Sequence, residues 1–130
     1  MSIKGDQFLA RVRNLAELGN DEEAEKATRA TLETLRERLA GNEPSNLAAQ
    51  LPPEMASYVE GSGGQDSFGV DEFYGRVAQR EGVSQDEAAK HARAVVTALQ
   101  TAVTGGELDD VRSQLGNAYK DLFGQPGASA

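Results

Sequence analysis

Apolar residues recur along this chain at helical spacing, and they fall into two similar series. Phe8, Val12 and Leu15 lie at i, i+4 and i+7, one stripe of a helix over about residues 4–17. Ala24, Thr28, Thr31, Leu32, Leu35 and Leu39 form the inner stripe of a helix over about residues 21–40, with Gly41 as its stop. Pro44 suits the first turn of a short third helix carrying Leu47, Ala48 and Leu51. Leu51-Pro52-Pro53 ends it, because a residue before proline is pushed out of the helical region. A fourth helix, about residues 53–60, presents Met55, Tyr58 and Val59. The series then restarts. Phe73 and Val77 mark one helix, and Ala88, Ala92, Val95, Val96, Leu99 and Val103 mark a long one over about residues 85–104. Val111 and Leu115 mark a third, and Tyr119, Leu122 and Phe123 a fourth.

The two series also share residues. Phe8-Leu9-Ala10-Arg11-Val12 recurs as Phe73-Tyr74-Gly75-Arg76-Val77 at an offset of 65. Glu23-Ala24 and Ala27-Thr28-Arg29-Ala30-Thr31-Leu32 recur, less closely, as Glu87-Ala88 and His91-Ala92-Arg93-Ala94-Val95-Val96 at an offset of 64. Helix-start signals recur as well: Asn20 with Glu23 resembles a capping box, and Ser84 with Glu87 is one. Gly105 stands as a stop where Gly41 stood. The expected fold is all-α: two sequence-related four-helix units, eight helices in all and several of them short, packed as one pseudo-twofold bundle. The first unit spans residues 1–60 and the second 68–124, joined by a Gly/Ser-rich linker at 61–67 and followed by a flexible tail at 125–130. The two long helices should be central, since their alanines and threonines let neighbours approach closely.

Composition narrows the function classes. The net charge of −8 is shared equally, with 7 basic and 11 acidic side chains in residues 1–60 and 6 and 10 in residues 61–130. An acidic surface without clustered Lys/Arg is not one that binds nucleic acid. The absence of cysteine removes disulfides, thiolate nucleophiles and thiolate metal sites. No apolar run approaches membrane-spanning length, and the first residues lack a signal peptide's apolar stretch, so the expected location is cytoplasmic.

Chemistry-bearing motifs are sparse. His91 is the single histidine and has no second His or Cys to complete a zinc set, so it is read as a structural or surface residue. Arg11 and Arg76 flank the apolar stripe of the first helix in each unit, and Arg29 and Arg93 flank that of the second. They are candidate anion-binding residues, weighed against the simpler reading that their stems lie along the core edge and their guanidinium groups pair with Asp6, Asp71, Glu23 or Glu87. Asp21-Glu22-Glu23 and Asp109-Asp110 lack the spacing of a calcium loop, and helix N-terminal charge explains them. Neither glycine-rich stretch has the Lys-Ser/Thr of a phosphate loop, and no serine sits in a GxSxG turn. No cofactor or metal-ligand set is predicted.

One resemblance emerges from the spaced blocks Phe8-Leu9-x-Arg11-Val12, Glu23-Ala24, Ala30-x-Leu32-x-x-Leu35, Leu47-Ala48-x-Gln50-Leu51-Pro52, Phe73-x-x-Arg76-Val77 and Glu107-Leu108-x-x-Val111-x-x-Gln114-Leu115. Together, over about residues 6–123, they resemble the bacterial family catalogued as domain of unknown function 2267. The resemblance implies a duplicated helical domain in a bacterial cytoplasm, and it supplies no activity and no catalytic residues. Leu51-Pro52 becomes Leu115-Gly116 in the second unit, which departs from the pattern. The expected function is a non-enzymatic interaction or structural module that binds a protein partner or itself. Met55, Tyr58, Tyr119 and Phe123, with Val59 and Leu122, are the candidate interaction surface. The alternative is a small-ligand or anion binder using Arg11, Arg29, Arg76 and Arg93.

Overall fold

The computed structural model describes residues 5–61 and 67–123. The expected tail, and all but the ends of the expected linker, lie outside the described residues. Seven α-helices and a closing 3₁₀ helix follow one another, with no strand among the described residues: α1 (Gly5–Ala16), α2 (Asp21–Arg38), α3 (Glu43–Ala48), α4 (Pro53–Val59), α5 (Val70–Glu81), α6 (Gln85–Ala102), α7 (Gly105–Leu115) and the 3₁₀ helix (Asn117–Phe123).

Local chemistry sets the boundaries. Asn20 Oδ1 accepts from the Glu23 N–H at 2.9 Å and starts α2, and Ser84 Oγ accepts from the Glu87 N–H at 3.2 Å and starts α6. α5 ends on Gly82, whose φ of +75° costs glycine nothing. The position 65 earlier is Glu17, which adopts φ +58° and ends α1 in a conformation that carries steric strain for a residue with a Cβ.

Three boundaries differ from expectation. Gly105 is not a stop: α6 ends at Ala102, and Gly105 is the first residue of α7. The cause is Thr104, whose Oγ1 caps the Glu107 N–H at 3.2 Å. The residue 64 earlier is Ala40, which has no capping oxygen, and Pro52 stands where Gly116 does. Hence α3 has 6 residues and α7 has 11. The final helix is 3₁₀ rather than α, because no proline pair launches it and Gly116, at φ +81°, turns the chain beforehand. Its tighter period shows in its burial: Tyr119 and Leu122, three apart, are buried, whereas in α4 Met55 and Val59, four apart, are.

The inner stripes are buried as the spacing requires. Phe8 and Val12 of α1, all six stripe residues of α2 and its C-cap, and all six of α6 and its C-cap are buried, while Leu15 is only partly so. The buried apolar ones among them belong to one core cluster that draws on every helix. The long helices are central. α2 packs on α1, α4, α5 and α6, and α6 packs on α1, α2, α5, α7 and the 3₁₀ helix. α1 therefore sits on both long helices, and so does α5. α3 meets α7. Beside that contact the Ala40 N–H donates to Gln114 Oε1 at 2.9 Å and the Thr104 N–H donates to Gln50 Oε1 at 2.7 Å. Both the donors and the acceptors of these two bonds stand 64 residues apart.

Candidate functional site

Three of the four flanking arginines are occupied by carboxylates, though not by the expected ones. Arg29 pairs with Glu33 one turn along α2 at 3.1 Å and lies over the Tyr58 ring. Arg76 pairs with Glu72 at 2.9 Å and Glu37 at 3.1 Å, and stacks 3.9 Å above the Phe68 ring. Arg93 pairs with Asp121 at 2.8 Å. Arg11 is exposed and makes no ion pair among the described residues. Asp6, Asp71, Glu23 and Glu87 are partners of none of the four. Glu37 belongs to α2, in the other unit, and reaches Arg76 because α5 packs on α2. Glu37 also takes Arg80 at 2.7 Å, and Arg80 further donates to the buried Thr34 Oγ1 at 2.7 Å. Arg80, with Arg76 beside it, holds the Glu37 carboxyl below the usual range. Asp121 is likewise lowered, first by the Tyr74 hydroxyl at 2.7 Å and then by Arg93.

The candidate interaction residues separate. Met55 and Tyr119 are buried and belong to the core, and Met55 reaches the surface only as part of a cleft lining. Tyr119 donates to the Phe68 carbonyl at 2.7 Å, and Arg38 stacks on its ring. Tyr58 and Phe123 are half-buried and line different clefts. Phe123 borders an open one with Arg112, Ser113, Gly116, Asn117 and Lys120.

Tyr58 lines a smaller cleft of about 230 Å³ where α1, α2 and α4 meet. Leu9, Met55 and the Tyr58 ring give it apolar walls, and Asp6, Glu25 and Glu54 ring it with carboxylates. The Tyr58 hydroxyl approaches Glu25 at 3.5 Å, and burial pushes that phenol's pKa up. Glu54 closes over the start of α1 so tightly that a Cβ at Gly5 would stand 2.8 Å from its Oε2. Thr28 Oγ1, on the cleft floor, is buried and has no hydrogen-bond partner.

Two buried acidic arrangements escape sequence reading. His91 is buried, as a structural residue would be, but it does have a partner: its Nδ1 lies 2.6 Å from Glu81 Oε2, tying the end of α5 to α6. The second arrangement joins Glu43 and Glu107, which are only 8% and 9% exposed. With exposed Asp110 they place one carboxylate oxygen each within 4.8 Å of one another. Glu107 is pushed up to about 8, by burial first, then by the neighbouring Glu43 carboxyl and the charge of Asp110. Glu43 and Glu107 occupy positions 64 apart, so the repeat held the signal for this pairing.

No helix among the described residues is long and apolar enough to cross a membrane. No curated protein matches the sequence. The family described as "Uncharacterized conserved protein (DUF2267)" matches residues 5–122, nearly the whole chain, and the chain belongs to it.

Proposed function

Starting from a family without an assigned activity, we propose that this protein is a non-enzymatic helical interaction module whose cleft between α1, α2 and α4 receives a basic side chain of a protein partner. The carrying observation is the composition of that cleft: apolar walls from Leu9, Met55 and Tyr58 inside a ring of Asp6, Glu25 and Glu54. A lysine or arginine has the matching shape, with an aliphatic stem for the walls and a cationic head for the rim. A volume of about 230 Å³ suits one side chain and not a whole peptide. The partner on this reading is an amphipathic helix with Lys or Arg on its docking face. The overall charge of −8 adds attraction at long range. We further propose that the two halves are related by a pseudo-twofold, a reading supported by the paired bonds Ala40–Gln114 and Thr104–Gln50.

The anion-binding alternative is weaker on the same footing. Arg29, Arg76 and Arg93 each already hold a carboxylate that an anion would have to displace.

A synthetic Lys/Leu amphipathic helix, titrated by calorimetry beside its Glu/Leu counterpart, tests the proposal. Glu25→Lys with Glu54→Lys should weaken binding of the basic peptide by more than about ten-fold, beyond the general effect of charge. Asp86→Lys with Asp109→Lys changes the net charge equally at exposed sites elsewhere and should leave most of the affinity. Equal losses in the two double variants would reduce the binding to net charge and remove the cleft from the account.

A further inference from the structure

Glu43 and Glu107 pose a problem of electrostatic satisfaction. Their Oε2 atoms are both buried without a hydrogen-bond partner. No Lys, Arg or His pairs with either residue among the described residues. A buried carboxylate in that state is costly, and two of them face to face are costlier. The buried acid elsewhere, Glu81, has His91 beside it. A cation bound between the carboxyls would satisfy both.

We propose that Glu43 and Glu107, with Asp110 at the mouth, form a binding site for a hard divalent cation of the Mg²⁺, Ca²⁺ or Mn²⁺ class. Every donor is a carboxylate oxygen, which favours these ions over zinc or copper. Oxygens bonded to one such ion at about 2.0–2.6 Å stand roughly 3–5 Å apart, so three oxygens within 4.8 Å of one another fit without rearrangement of the helices. Asp110 is exposed and leaves a way in for the ion and for completing waters. Because α3 supplies Glu43 and α7 supplies Glu107, the ion would bridge the only helices that bring these two carboxylates together, and so clamp the first half of the chain to the second.

The test uses the full chain, stripped with chelator and titrated with Mn²⁺, Ca²⁺ and Mg²⁺ separately. Calorimetry should give saturable one-site binding for at least one of them, and the melting temperature should climb with its concentration up to about 10 mM. Glu107→Gln and Asp110→Asn should each lower the affinity by about ten-fold or more, and Asp86→Asn, an exposed change remote in sequence, should not. Glu107→Gln mimics the protonated acid and Asp110→Asn alters an exposed residue, so both variants are expected to fold, and their own melting curves check it. Absence of saturable binding by all three ions, or equal binding by wild type and the two site variants, overturns the proposal and leaves the pair as a proton-sharing contact.

Discussion

Replacing Glu107 by glutamine should make this protein more stable at neutral pH, although the side chain is buried and lies at a contact between helices. Proton linkage sets the sign. In the unfolded chain Glu107 titrates near 4.5, and in the fold it is raised to about 8. A carboxyl with a raised folded pKa contributes no penalty below the lower value, where both states are protonated. As pH rises through the window between the two, the unfolded state gains by ionising and the folded state does not. The slope is about 1.4 kcal/mol for each pH unit, which reaches about 3 kcal/mol at pH 7. Glutamine carries no charge in either state and can donate its amide to Glu43. Glu107→Gln should therefore match wild type near pH 4 and exceed it by up to about 3 kcal/mol at pH 7, which for a chain of this size is a rise in melting temperature of about 10 °C. Urea unfolding in chelator, at several pH values across the window, measures the difference directly. A variant less stable than wild type at pH 7, or a difference independent of pH, would refute the reasoning.

Other substitutions separate contacts that matter from those that do not. Arg80→Ala removes the donor to Thr34 Oγ1 and the partner of Glu37, and should cost about 1–2 kcal/mol in urea unfolding, whereas truncating Arg29, which holds an exposed i,i+4 pair, should shift the midpoint hardly at all. Glu17→Gly relieves a left-handed backbone at the loss of only an exposed pair with Lys90, and should raise the melting temperature. His91→Ala strands the buried Glu81 carboxyl and should destabilise by about 3 kcal/mol, with Glu81→Gln in the same background recovering part of the loss.

Helical periodicity made most of the fold legible. Every stripe residue assigned to the two long helices is buried, because a helix crossed by several neighbours leaves a strict angular record in its sequence. The final segment was harder. Tyr119, Leu122 and Phe123 fit an α-helical stripe about as well as a 3₁₀ one, and the choice fell to Gly116 and the missing prolines. The arginines were legible as paired side chains, but their partners depended on which helices become neighbours. Glu37 meets Arg76 and Arg80 only after α5 lies on α2. Glu43 and Glu107 were hidden for a related reason. Each stands at a helix start, where an acid needs no further explanation, and nothing along the chain brings them together except the contact of α3 with α7. The cleft beneath Tyr58 was half visible, since Met55 and Tyr58 were singled out, while the carboxylates around it come from three different helices.

The meeting of Glu43 with Glu107 is the claim on which the proposed cation site turns, and the carboxyl carbon of Glu107 reports on it most directly. Carbon-13 NMR of the full chain in chelator, with resonances assigned through Glu107→Gln, should show one glutamate titrating with a midpoint of about 8, far above exposed carboxyls near 4.5. A Glu107 midpoint within the ordinary carboxylate range would mean that the two acids do not face each other in a buried contact, and would contradict the account.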